Sequence, residues 1–189
     1  ELCRRFYEEE VIPYHDEWEK AGQVPRELWR KAGENGLLCV TVPEEYGGMG
    51  LPESIGIAAM EMWSAANLSF ALCPMLGQGA IEALQSHASD ELRDMYLAKM
   101  VSGEWTGTMN LTESQAGSDL ASIRTRAVPD GDHFLLSGTK IFITWGDHQM
   151  TENIIHLVLA RVEGAPEGVR GISLFVVPKF LVEESGELG

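Results

Sequence analysis

The sequence predicts an α+β chain: an N-terminal helical domain over residues 1–105, then a β domain over residues 106–189. Three observations carry this. Apolar residues recur at helical spacing as far as Gly103. After Trp105 they give way to runs rich in β-branched and aromatic residues. Turn-forming segments, PDGD (129–132) and EGAPEGVR (163–170), divide those runs. Hydrophobic residues make up 44% of the 189, enough for one sizeable core or two small ones.

Leu2, Phe6, Glu9 and Pro13 lie at helical spacing, and Pro13 is expected to kink or break that helix before the pattern resumes through Tyr14 and Trp18 to Gly22. Pro25 suits the first turn of a short helix, whose stripe Leu28, Trp29 and Ala32 stops near Gly36. EEYGGMGLPE (44–53) reads as a loop by its glycines and proline. Three helices follow before Gly103. The first carries Ile55, Ile57, Met60, Met62 and Trp63, and the second, from about Leu72, is expected to bend or break near Gly77 and Gly79. Ser89 is the predicted N-cap of the third, with Asp90 and Glu91 favourable at the positive end of its dipole and Gly103 past its end.

In the second half, residues 121–128 alternate loosely and HFLLSGTKIFIT (133–144) reads as a strand. NIIHLVLARV (153–162) and GISLFVVPKF (171–180) are apolar on both faces, which predicts strands covered on both sides.

The net charge of −15 argues against nucleic acid or an anionic membrane as partner, since both select a basic patch. No run approaches the ~18 apolar residues of a membrane span, and the first ten residues lack the apolar centre of a secretory signal. Cys3, Cys39 and Cys73 form no CxxC, which suits a reducing compartment. A soluble cytoplasmic protein is expected, or a mitochondrial-matrix one from a eukaryotic source. Gly48-Met49-Gly50 lacks the third glycine of a dinucleotide loop, Glu53 standing there. His148, Glu152 and His156 are spaced by four, but His156 falls in a β-patterned run, so no metal site is expected. Ser118 stands outside any Gly-x-Ser-x-Gly elbow.

One segment resists such bland readings: TGTMNLTESQAGSD (106–119), with a threonine, an acidic residue and small residues set between apolar flanks. It can present backbone N–H groups and short hydroxyls to an anion or to the edge of a polar ring. Gly117 allows close approach or positive φ, Ser118 adds a donor, and Thr112 can reach a ring heteroatom. On residue types alone, turn-capping by Thr112 and Ser118 explains the segment as well.

TMNLTESQAGSD followed by TKIFITWGDHQMTENIIHLVLAR and GISLFVVPKF resembles the middle region of the acyl-CoA dehydrogenases, whose signature is aliphatic-x-Thr-Glu-x-x-x-Gly-Ser-Asp and then Gly-x-Lys-aromatic-Ile-Thr. LWRKAGENGLL, VPEEYGG, GAIEAL and SDELRDMYLAKMVSGE are similar to that family's helical half, so the resemblance spans essentially the whole chain. Residues 49–189 resemble the larger acyl-CoA dehydrogenases and residues 1–48 the long-chain type. Ser114 stands where relatives often have proline.

The resemblance implies that the middle domain is antiparallel and β-barrel-like and that the cofactor is FAD, with Met109, Asn110, Leu111 and Thr112 lining the isoalloxazine and Thr112 bonding its pyrimidine edge. It implies that Gly117 and Ser118 meet the FAD pyrophosphate or the acyl-CoA, Ser118 thus also being a substrate contact. Phe142 takes the position of the aromatic residue packed on the flavin, next to Ile143, and Thr144 that of the donor to N5. An acyl-CoA substrate, an electron-transfer flavoprotein as partner and homo-oligomerisation of the full-length protein are implied too. The family's glutamate base belongs to a C-terminal helical domain absent from this chain, so no catalytic residue is assigned here and the chain alone is expected to be inactive. Two alternatives stay open: an acyl-CoA oxidase or flavin monooxygenase of the same fold, and a flavin-free module that binds acyl-CoA or a protein.

Overall fold

The computed structural model describes residues 1–183 and 185–189. Six helices fill the first half: α1 (Leu2–Glu10), α2 (His15–Ala21), α3 (Arg26–Glu34), α4 (Glu53–Ala66), α5 (Leu68–His87) and α6 (Asp90–Ser102). Pro13 breaks the first pair as expected, within a 3-10 turn at Ile12–Tyr14. Pro25 sits one residue earlier than predicted, as the N-cap of α3, and Leu28, Trp29 and Ala32 are all buried. Ser89 caps α6 by accepting a hydrogen bond from the Leu92 amide, and Gly103 ends it in the left-handed region at φ 84°.

The expected bend of the second helix is not there. α5 runs unbroken for 20 residues, with Pro74 as well as Gly77 and Gly79 inside it. The glycine at 77 marks a close crossing instead. A Cβ on Gly107 of the first strand would stand 2.6 Å from Ala80 Cβ and 3.6 Å from Gly77 Cα, so small residues on both elements let strand and helix touch. Trp63, Phe70, Ile81, Leu84, Leu97 and Trp105 form the centre of the core around that crossing.

Among the described residues five strands follow: β1 (Trp105–Asn110), β2 (Arg126–Asp130), β3 (His133–Ser137), β4 (Asn153–Val162) and β5 (Ile172–Pro178). The α+β class holds, but the sheet is mixed and is not closed into a barrel. β1 and β2 run parallel to β4 along one of its edges, β1 beside residues 153–158 and β2 beside 161–162. β3 pairs with β2, and β5 with the other edge of β4, both antiparallel. β4 is covered on both faces as predicted, whereas β5 is not: Leu174 is 43% exposed.

The strand expected over 133–144 ends at Ser137. Gly138 packs so closely on Thr125 that a Cβ would fall 2.4 Å from its Oγ1, and the chain then leaves the sheet. Residues 140–144 join no strand ladder: Lys140 and Ile141 bond to the loop after β1, and Thr144 takes the side chain of Thr108 on β1. That loop, residues 111–125, also leaves the sheet, between the two strands that share the edge of β4. The two departures meet.

Among the described residues no helix is long and apolar enough to cross a membrane. Cys39 and Cys73 are free and buried, and Cys3 is free and half-buried; burial pushes all three thiols up, Cys39 to about 12.

Candidate functional site

Apart from the Lys140–Glu113 ion pair, three hydrogen bonds join the signature segment to residues 140–144. The Ile141 amide donates to the Thr112 carbonyl at 2.9 Å. Lys140 Nζ donates to the Leu111 carbonyl at 2.9 Å, and Thr108 Oγ1 to the Thr144 carbonyl at 2.7 Å. Met109 through Thr112 and Phe142 through Thr144 are thereby brought side by side. Gly117 and Ser118 lie apart, at an exposed tip beyond the reciprocal Glu113–Ala116 backbone pair, where Asp119 caps the next turn by accepting from the Ala121 amide and the Ser122 hydroxyl.

Glu113, whose role the sequence reading left unassigned, is the organising residue. Its carboxylate is buried and accepts hydrogen bonds from the amides of Arg124 and Thr125, from the Thr125 hydroxyl, from Gln115 Nε2 and from Lys140 Nζ. Burial pushes its pKa up, but the bonds from Thr125, Lys140 and the two amides outweigh that and hold it at about 2. The acidic residue of the signature is thus a clamp between loops, facing inward. A lone glutamate amid apolar flanks, with a lysine 27 positions on, was the available signal.

The positions expected to face a ligand behave differently. Phe142 is 89% exposed, with its backbone in the left-handed region at φ 57°. Among the described residues the hydroxyls of Thr112, Ser118 and Thr144 have no hydrogen-bond partner, unlike those of Thr106, Thr108, Thr125 and Thr151. Gly117 does not take a positive φ, and a Cβ there would meet nothing within 4 Å. No contact among the described residues asks for glycine at 117. An outside partner would fit: two free threonine hydroxyls, one bare aromatic face and an open glycine–serine tip suit a flat polar ring with an anionic tail. Met109 half-packs on the core, and Asn110 Oδ1 is 3.3 Å from His156 Nδ1, so these two also belong to the support.

The decoys resolve as structure. Met49, Gly50 and Leu51 return their amides to the carbonyls of Cys39, Val42 and Val40, a backbone pairing rather than a phosphate cradle. His148, Glu152 and His156 turn to separate partners, Thr106, Arg26 and Asn110.

Comparisons with known proteins match both halves of the chain. The family model "Acyl-CoA dehydrogenase, N-terminal domain" matches residues 1–104, and "Acyl-CoA dehydrogenase, middle domain" matches residues 108–185. This chain belongs to the acyl-CoA dehydrogenase family. It is 59% identical over 153 residues to 3-methylmercaptopropionyl-CoA dehydrogenase of Ruegeria pomeroyi, covering 80% of this chain and 26% of that protein. To the mitochondrial long-chain specific acyl-CoA dehydrogenase of Rattus norvegicus it is 36% identical over 177 residues, 94% of this chain and 40% of the relative. A glutaryl-CoA dehydrogenase from Mycobacterium smegmatis, solved in complex with FADH2, superposes with TM-score 0.82 at 25% identity, over 96% of this chain and 46% of that one. The acyl-CoA dehydrogenase chain therefore spans a quarter to just under half the length of these relatives. The family is one of oxidoreductases, and its cofactor is FAD.

Proposed function

We propose that this chain supplies the flavin-facing part of an acyl-CoA dehydrogenase that converts an acyl-CoA thioester to the trans-2-enoyl-CoA and hands the electrons to an electron-transfer flavoprotein. The observation that carries it is the cross-bonding of the two signature segments, which leaves the Thr112 and Thr144 hydroxyls unpartnered beside the bare Phe142 ring. FAD, when bound, supplies the acceptor for the hydride that leaves the β-carbon. Thr144 would donate to N5, where electron density rises on reduction, and its main chain is held for this by Thr108. Thr112 would bond the pyrimidine edge, with Met109 to Leu111 lining the ring and Ile143 backing Phe142. Gly117 and Ser118 would receive the pyrophosphate or the acyl-CoA. The α-proton would go to a carboxylate outside these residues, so the division near residue 105 separates two supporting domains and neither carries the base.

The test is to supply FAD to the protein expressed from its complete reading frame and follow absorbance near ~450 nm, then to add acyl-CoA without oxygen. Bound flavin that bleaches with acyl-CoA supports the reading, and a colourless protein favours a flavin-free binding module. Rapid re-oxidation of the bleached flavin by O₂ favours an oxidase. Thr144→Ala should weaken flavin binding or slow its reduction; unchanged behaviour would remove the N5 assignment.

A further inference from the structure

Among the described residues two other than glycine have positive φ, Phe142 at 57° and Trp145 at 53°. They bracket Ile143 and Thr144. Aromatic residues rarely adopt this region, and two within four positions persist only if neighbouring structure over-determines them. Part of that determination lies inside the turn: the Gly146 amide donates to the Ile143 carbonyl at 3.1 Å. The rest comes from outside it, and most of it acts on Trp145.

The Trp145 indole Nε1 donates to the Ser69 carbonyl, in the first turn of α5, at 2.9 Å. Its ring meets the His148 imidazole edge-to-face, with centroids 5.2 Å apart. His148 is itself fixed, since Nδ1 accepts from the Met150 amide and Nε2 lies 3.0 Å from Thr106 Oγ1 on β1. Trp145 also borders a cavity of 660 Å³ between the α2–α3 connection, the start of α5 and residues 148–150. On that side the indole has no packed neighbour, so the Ser69 bond and the His148 edge locate it.

We propose that Trp145 is a positioning residue: its indole N–H ties the turn that carries Phe142 and Thr144 to the first turn of α5 and so sets the orientation of both toward the flavin. This rests on the FAD reading above. The tether spans the helical and β parts of the chain, and Thr108, from β1, holds the same turn from the other side. Without the N–H, the positive φ at 145 loses an external support, and Thr144 loses its fixed aim.

The experiment is Trp145→Phe in the full-length holoprotein, which keeps an aromatic edge for His148 and removes the donor. We expect the Kd for FAD to rise about three- to tenfold, the size of one lost hydrogen bond. The midpoint potential of the bound flavin should move to more negative values, because a misaligned donor stabilises the electron-rich reduced ring less. Thermal unfolding of the FAD-free protein should stay close to wild type. FAD affinity and potential both equal to wild type would overturn the inference while leaving the FAD reading intact, whereas a wild-type protein that binds no FAD overturns both. If Trp145→Phe does not fold, the benzothiophene analogue of tryptophan placed at 145 keeps the shape, removes only the N–H and is read the same way.

Discussion

Lys140 holds its Nζ 2.9 Å from Glu113 Oε1, with the two side chains only 8% and 4% exposed. The pair joins the loop after β1 to the segment after β3, the two stretches that carry the signature. Taking one partner away leaves the other charged and buried, which costs far more than the pair contributes.

Glu113→Gln should therefore destabilise the protein by about 3–5 kcal/mol, since Lys140 loses its counter-charge in a buried setting. Lys140→Met should cost less, because four other donors still reach the carboxylate. The double variant should be less damaging than the sum of the two. Denaturant midpoints at constant slope measure all three.

The pH dependence follows from the same carboxylate. Its pKa is lowered from 4.5 to about 2 in the folded state, so its stabilising contribution is complete above about pH 4.5 and is lost as pH falls through about 2. The shift corresponds to roughly 3 kcal/mol. Stability measured between pH 5 and 2 should fall steeply in the wild type and less steeply in Glu113→Gln. Equal slopes would remove Glu113 as the source.

The helices were legible in the sequence because each announces itself locally, through a stripe such as Leu28–Trp29–Ala32 or a cap such as Ser89. What escaped was set by distant contacts. Gly77 and Gly79 look like helix breakers in a one-dimensional reading, yet at 77 the small residue answers Gly107, thirty positions away. IFIT has strand composition, but its Ile141 amide bonds to the Thr112 carbonyl and its Thr144 carbonyl to the Thr108 hydroxyl, outside any strand ladder. Parallel pairing of β1 with β4 leaves no local mark either, because the partners lie more than forty residues apart. The threonines expected to face a ligand were readable only through a resemblance, since free hydroxyls and turn caps look alike in sequence.

Gly107→Ala tests the crossing of β1 and α5. The new Cβ would stand 2.6 Å from Ala80 Cβ and 2.8 Å from Met100 Cε, and the buried methyl of Ala80 cannot swing away. Overpacking of this kind costs about 1–3 kcal/mol. Ala80→Gly in the same chain should recover part of the loss, which unfolding midpoints of the single and double variants would show. A neutral Gly107→Ala would mean that strand and helix are not in contact at this point.

The last prediction concerns His148, which links β1 to the turn at 145. Because Nδ1 accepts from the Met150 amide, the proton of the neutral ring sits on Nε2, which then donates to Thr106 Oγ1. Thr106 in turn lies 3.3 Å from Thr151 Oγ1, whose hydroxyl donates to the Asn153 carbonyl at 2.8 Å, so the chain of donors runs in one direction. A proton added to Nδ1 would face the Met150 amide, donor against donor. Burial, with Lys179 nearby, already lowers the His148 pKa from 6.5 to about 4. For a histidine lowered in the folded state, the unfolded chain binds the extra proton first, so stability falls as pH drops from about 6.5 toward 4. Nitrogen-15 NMR of the imidazole should show the Nε2–H tautomer at neutral pH and a titration near pH 4. A midpoint near 6.5 would mean that His148 is solvated and that the Thr106 bond is not formed in solution.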